Sequence, residues 1–284
     1  MLPPYSANGP VPLRVAGGGP VVAGYVTEPV VDPQRGPRPF LHPVRTLNGT
    51  VVTDVLPEDH THHLGVSVAM QDVDGVNVWG GRTYVRDQGY QWLSDHGCIV
   101  QDTLTAGEHS IAGTLRWLDT RGATMLVEQR VMRAEPVNER AWRLDFAYDL
   151  RNPRPVDVTL GSPGTNGRPG NAGYGGFFWR LPFGPQAPAV FSPEAATEAE
   201  VNASTTDWVA VTSTNSGSAY SLIFEGLGDD DRWFVRAAEY PGVCVALAFE
   251  QRRRIAAGDA LSRRHRVTVV DGAVTPDEVT ALLR

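Results

Sequence analysis

Apolar and polar residues alternate along this chain with a period of two, not the roughly 3.6 of a helix. The clearest run is Trp142-Arg143-Leu144-Asp145-Phe146-Ala147-Tyr148-Asp149-Leu150, in which Trp142, Leu144, Phe146, Tyr148 and Leu150 share one face. Successive side chains of a strand point to opposite sides, so this run predicts a half-buried antiparallel strand. Similar runs predict strands over 20–26, 49–55, 64–69, 111–118, 124–132, 156–160, 208–212, 220–225, 233–237, 243–249 and 264–270. Turn formers such as Asp74-Gly75, Arg121-Gly122 and Ala257-Gly258-Asp259 separate many of them. Only the tail predicts a helix: Thr275-Pro276-Asp277-Glu278 is a capping box with proline at the first helical position, leading into 279–283.

Strands do not alternate with helices, which argues against a parallel α/β sheet. Neither an internal repeat nor a low-complexity linker divides the chain. The pattern predicts an all-β fold, a large antiparallel two-sheet β-sandwich with a short C-terminal helix, forming a single domain over 1–284.

Composition narrows the function classes. At 42% hydrophobic and 20% charged, the chain can bury a sizeable core and is not disordered. A net charge of −7 argues against a nucleic-acid partner, which needs a basic surface. Every basic residue is arginine, so there is no lysine for a Schiff base. Cys98 and Cys244 match no metal-binding spacing and sit in apolar runs, predicting buried thiols. Met1-Leu2-Pro3-Pro4 opens no signal peptide and no run is long enough to span a bilayer, so the expectation is a cytoplasmic protein without a membrane partner.

The candidate chemistry concentrates in Asp59-His60-Thr61-His62-His63, with His42 upstream in Arg38-Pro39-Phe40-Leu41-His42-Pro43-Val44-Arg45. Histidine titrates near neutrality and is the commonest metal ligand. If the stretch continues a strand, His60 and His62 share a face and His63 points the other way, into packing. Such a pair suits either a metal half-site, completed by His42, Asp59, His96 or Glu128, or two proton shuttles. A plainer alternative has His63 in the core and the others capping loop ends.

Glu128 is the second candidate. In Met125-Leu126-Val127-Glu128-Gln129-Arg130-Val131-Met132 each face mixes apolar and polar groups, so either a Glu–Arg pair or a pocket wall is tucked in. A third is the glycine-rich stretch from Gly161 to Arg180. Its Asn166, Arg168, Tyr174 and Arg180 lie among aromatics and suit a polyhydroxylated ligand, rings stacking on sugar faces while amides and guanidinium groups bind oxygens. Trp79-Gly80-Gly81-Arg82-Thr83-Tyr84 and Asp95-His96-Gly97 read as rim elements. Several motifs are missing: no GxSxG elbow, no GxxxxGK[ST] loop, and no GxGxxG leading from a strand into a helix. Nucleophilic hydrolysis and nicotinamide or flavin chemistry are therefore unsupported.

Together, the Arg38–Arg45 segment, the Asp59–His63 cluster, Trp79-Gly80-Gly81 and the Gly161–Arg180 segment resemble the bacterial PmoA-like family, a domain of unknown function common in actinobacteria. The resemblance covers nearly the whole chain. It implies a relative of the galactose-mutarotase-type supersandwich, associated with sugar catabolism. In mutarotases histidines and a glutamate do the acid/base work, and His60, His62 and Glu128 are the nearest chemical counterparts here.

Three functions follow as expectations. The first is an enzyme acting on a small sugar or oxidised sugar, an epimerase, mutarotase or β-elimination lyase. It would use His60, His62, His42 and Glu128 for proton transfer, with Arg45, Arg168 or Arg180 holding a carboxylate or an enolate-like oxygen. The second is a metal-dependent lyase, hydratase or oxygenase with a divalent ion on His60 and His62. The third is a carbohydrate-binding protein without catalysis.

Overall fold

The computed structural model describes residues 5–284, so the reading of Met1–Pro4 lies outside the described residues. Two antiparallel sheets hold most of the strand residues. One has seven strands in the order Val11–Arg14, Val21–Val26, Phe40–Val44, Val66–Ala69, Gly176–Arg180, Gly242–Ala246 and Arg232–Arg236. The other has eight, in the order Ala189–Phe191, Trp208–Asn215, Ser218–Glu225, Ala260–Asp271, Ala141–Arg151, Thr124–Asn138, Ser110–Leu118 and Cys98–Ala106. A three-stranded sheet (Arg253–Ile255, Val158–Gly161, Asp72–Val73) and the hairpin Thr83–Val85/Gly89–Gln91 are appended. This is the all-β, two-sheet sandwich that the alternation predicts.

The sheets meet through the residues the period of two places inward. Phe146 packs on Phe177 with ring centroids 5.1 Å apart, and Trp179 on Phe224 at 5.7 Å. Burial of such large apolar side chains supplies the main driving force for the sandwich. The strand over Ala141–Arg151 keeps the predicted face, with Trp142, Leu144, Phe146, Tyr148 and Leu150 all buried. The C-terminal helix spans Pro276–Leu282, and Thr275 and Glu278 form the reciprocal capping box. A further one-turn helix, Glu198–Val201, is capped by Thr197.

Several elements depart from the sequence reading. Residues 49–55 form only isolated bridges, Val51 to Arg45 and Val55 to Leu64. Phe40–Val44 and Gly176–Arg180 are strands that proline and glycine obscure, and Cys98–Ala106 is an edge strand too polar towards its end to alternate cleanly. Cys244 is buried, whereas Cys98 is only half-buried on that edge. Among the described residues no helix is long and apolar enough to cross a membrane.

The seven-stranded sheet is covered on both faces, and this positions the site. Phe177, Trp179, Trp233, Val235, Val243 and Val245 face the eight-stranded sheet. The alternate residues Phe178, Phe234, Cys244 and Ala246 face outward and remain buried beneath a second layer containing Trp79, Tyr174 and Tyr240.

Candidate functional site

Over that outer face lies a cavity of about 380 Å³, lined by residues 58–63, Trp79, Gly81, Arg82, Tyr90, Trp92, Arg168, Tyr174, Phe234, Arg236, Glu239 and Tyr240. It gathers His60, His62, Trp79, Arg168 and Tyr174 from the nominated catalytic and sugar-binding residues, together with the candidate ligand Asp59 and the rim residues Gly81 and Arg82.

The histidine segment is not a strand. The amide of His60 bonds the carbonyl of Pro57 at 3.1 Å and that of His63 bonds the carbonyl of His60 at 2.9 Å, giving two successive reverse turns. The expected split, His60 and His62 on one side and His63 on the other, is thereby replaced by a cluster of three rings. His60 stacks on His63 (4.6 Å, 15°), while His62 meets His63 edge-on at 4.7 Å and His60 at 5.6 Å. Arg38, fully buried, pins this arrangement by donating to the carbonyls of His62 and Trp79 and to Ser67 Oγ.

The protonation of the cluster follows from its contacts. His60 Nδ1 lies 2.7 Å from Asp59 Oδ2, and Arg180 Nη2 donates to both Asp59 oxygens at 3.0 Å. An ionised carboxylate only accepts, so Nδ1 of His60 carries the proton. Nε2 of His60 has no hydrogen-bond partner among the described residues, and the side chain is one-third exposed. Burial acts to raise the Asp59 carboxyl, but His60 and Arg180 outweigh it and hold it below the usual carboxylate range. His62 is pushed down to about 3 by burial and by the charges of His60 and Arg38. His63 is pushed well below its ordinary value by burial, then by His62 and His60. Its Nδ1 accepts from Arg180 Nη1 at 3.4 Å, which leaves its proton on Nε2.

An aromatic floor runs from this cluster. Tyr240 packs on His60 (4.3 Å), His63 on Trp79 (5.9 Å), and Trp79 on Tyr174 (5.0 Å). From Tyr174 a polar chain continues through Tyr90 Oη at 3.0 Å to Arg168, whose Nη1 donates to Tyr90 Oη at 2.6 Å. Burial raises the Tyr174 and Tyr240 phenols, so both stay protonated. Trp79 is placed by Asn77, whose Oδ1 accepts from the amides of Trp79 and Gly80. Gly81 is at φ +74°, and a Cβ there would lie 2.8 Å from the His62 ring, so glycine lets the loop close on the histidine. Trp92 stands 55% exposed at the mouth with Arg82 stacked on it.

Four nominated residues lie elsewhere. Glu128 is fully buried between the sheets, bonded to Arg130 Nε at 2.6 Å and to Trp117 Nε1 at 2.9 Å. The mixed face of that strand is thus the Glu–Arg pair and not a pocket wall. His42 bonds Thr53 and is pushed down to about 4 by burial and by Arg45. Arg45 reaches the carbonyl of Gly49 on the far side of the segment, and Asn166 is tied to Asp72 outside the cavity. Strand register and loop closure, which decide these placements, are invisible to local pattern. Arg180 stands behind the cavity wall: it is fully buried, and its role is to hold Asp59. His96 supports the rim by donating from Nε2 to the carbonyl of Gly81 at 2.7 Å. It also lines a second cavity of about 530 Å³ beside Cys98, which gathers no comparable set of side chains.

The sequence reading missed Tyr90, Trp92, Phe234, Arg236 and Tyr240 as wall residues. Phe234 and Arg236 occupy the outward positions of a strand, where alternation alone implies solvent. Among the described residues no group of three or more His, Cys, Asp or Glu is placed to hold a metal ion. With Nδ1 of His60 and of His63 occupied, a cation here would have only His60 Nε2 and His62 as nitrogen donors.

A sandwich whose outer face carries a histidine-and-arginine cavity is the class of protein that the geometry defines. The chain belongs to the family of unknown function DUF6807, whose model matches residues 13–284. That match supplies no activity and does not carry the PmoA label. Among solved structures the chain is similar to a heparan sulfate lyase HepC mutant from Pedobacter heparinus (11% identity, TM-score 0.29, 63% of this chain and 23% of that one). It is also similar to an α-galactosidase from Lactobacillus brevis (9% identity, TM-score 0.39, 93% of this chain and 39% of that one). The chain therefore spans about a quarter and about two-fifths of the lengths of these two proteins. No curated protein matches it.

Proposed function

We propose that this protein is a carbohydrate-active enzyme that moves protons on a sugar or oxidised sugar, as an epimerase, a mutarotase or a β-elimination lyase, with His60 as the base. The observation that carries this reading is the Arg180–Asp59–His60 chain, which fixes the tautomer of an imidazole at the cavity wall. A carboxylate behind Nδ1 stabilises the imidazolium formed when Nε2 takes a proton. His62, neutral at neutral pH, pairs with a substrate oxygen without competing for the proton.

In the step proposed, His60 Nε2 removes the proton from a carbon beside a carbonyl or carboxylate, and the C–H electron pair moves onto that oxygen. Return of a proton to the opposite face gives the epimer. Departure of the β-substituent with its bonding pair gives the unsaturated sugar. For mutarotation the proton leaves the anomeric hydroxyl instead, its oxygen becomes the carbonyl as the ring C–O bond breaks, the ring oxygen takes up a proton, and reclosure on the other face with the reverse transfers gives the other anomer. Trp92, exposed at the mouth, supplies a stacking face for the ring, above a floor to which Trp79 and Tyr174 contribute.

The test is a panel of aldoses, uronates and 3-keto-sugars followed by proton NMR, which reports anomer exchange, epimer formation and elimination together. Turnover by wild type that His60→Gln abolishes supports the reading. Binding of sugars with no conversion of any of them makes the protein a carbohydrate-binding module instead.

A further inference from the structure

We infer that the sugar this cavity takes is an acidic one, its carboxylate held by Arg168; this rests on the reading of the cavity as a sugar site. Several arginines elsewhere on the surface have carboxylate partners, among them Arg140 with Glu278 at 2.7 Å and Arg154 with Asp74 at 2.8 Å, whereas others, such as Arg45 on the carbonyl of Gly49, have none among the described residues. The arginines lining the cavity also have none. Arg82 stacks on Trp92, Arg168 bonds and stacks on Tyr90, and Arg236 reaches only the carbonyls of Val235 and Asn171. No ion pair satisfies any of the three among the described residues.

Carboxylates are not lacking at this site, but none of them pairs with these arginines. Asp59 is spent on Arg180 and His60, and Glu58 and Glu239 are exposed neighbours of the His60–Tyr240 contact. Arg168 is reached from the histidines through Trp79, Tyr174 and Tyr90 in the contact chain. The cavity therefore combines proton-transfer groups around His60, an aromatic floor, and guanidinium groups without a carboxylate partner. A guanidinium already oriented by a hydrogen bond and a ring face loses little freedom when it binds a carboxylate, and its planar fork matches both oxygens. A sugar acid lying on the floor with its carboxylate at Arg168 presents the rest of its ring towards His60.

The probes are D-glucuronate and D-galacturonate against D-glucose and D-galactose, titrated by calorimetry at low and at physiological salt. Wild type is expected to bind the acids roughly ten- to hundredfold more tightly than their neutral counterparts, the range of one charge-assisted hydrogen-bonded contact. Arg168→Gln should collapse that ratio towards one and Arg168→Lys should restore part of it. Arg154→Gln, outside the cavity, should keep the ratio. Equal binding of acids and neutral sugars by wild type, or a ratio that survives Arg168→Gln, overturns the inference while leaving the sugar-enzyme reading intact. An Arg168-dependent preference for acids without any turnover supports the inference and removes the enzyme reading. Binding of neither class at millimolar concentration removes both.

Discussion

Arg180 Nη2 donates to both carboxylate oxygens of Asp59 at 3.0 Å, although the two residues are far apart in the chain. Arg180 is fully buried on the central sheet, while Asp59 lies on a turn at the cavity edge. The buried partner thus positions the more exposed one, and through it His60.

Asp59→Asn should therefore act on turnover and not on sugar binding. An amide can donate to Nδ1 and stabilise the wrong tautomer, so kcat should fall about 10²–10⁴-fold, the usual range for a positioned acid/base group, with KM changed little. Steady-state kinetics beside a calorimetric Kd will separate the two effects. A fall in affinity with kcat preserved would contradict the assignment of Asp59.

Glu128 should matter for stability alone. Removing one partner of a buried ion pair strands the other, so Glu128→Ala should cost about 3–5 kcal/mol in urea unfolding, while an apolar replacement of both Glu128 and Arg130 should recover most of it. Loss of turnover by folded Glu128→Gln at full stability would return this residue to the site.

Acid should weaken the fold before it protonates the buried histidines. His265, bonded to Gly226 and Tyr148 in the core, is pushed down to about 4 by burial, as is His42. The folded values lie below the unfolded value near 6.5, so the unfolded chain binds more protons between about pH 6.5 and 4. Stability is complete above that window and falls through it, by about 1.4 kcal/mol per pH unit for each such histidine. Denaturant midpoints measured from pH 7.5 to 4.5 should be level at first and then decline. A flat profile down to pH 4.5 would show that these imidazoles are not desolvated.

Gly81→Ala should disturb both the loop and the histidine behind it. The left-handed backbone costs an alanine about 1–2 kcal/mol, and the added methyl meets the His62 ring. Thermal unfolding should shift down by a few degrees, with a larger loss of activity than Gly75→Ala, where the same backbone strain arises in open space. Equal effects at the two glycines would mean that His62 is not held by this contact.

Chelation should leave activity unchanged. The nitrogens facing Asp59 and Arg180 are already engaged, and among the described residues no group of three or more His, Cys, Asp or Glu is placed to hold a metal ion. Activity lost on dialysis against a chelator and regained with one divalent ion would make those two residues metal ligands.

The period of two was enough to read the all-β sandwich, the inward face of Trp142 to Leu150 and the capped tail, because burial on one side of a strand and hydrogen bonding at a helix start are local demands. It also pointed to the histidine segment, since such residues are rarely gathered without cause. What it could not give was direction. Pro57 and the turns after it bring His60, His62 and His63 together where alternation would have parted them. Glu128 and Arg180 look alike in sequence, each a charge in an apolar strand, yet register sends one between the sheets and the other to the outer face. The sequence by itself determined which side chains need burial and where the chain turns. Only tertiary structure decided which charges meet, because a pairing such as Arg180 with Asp59 depends on how distant strands align.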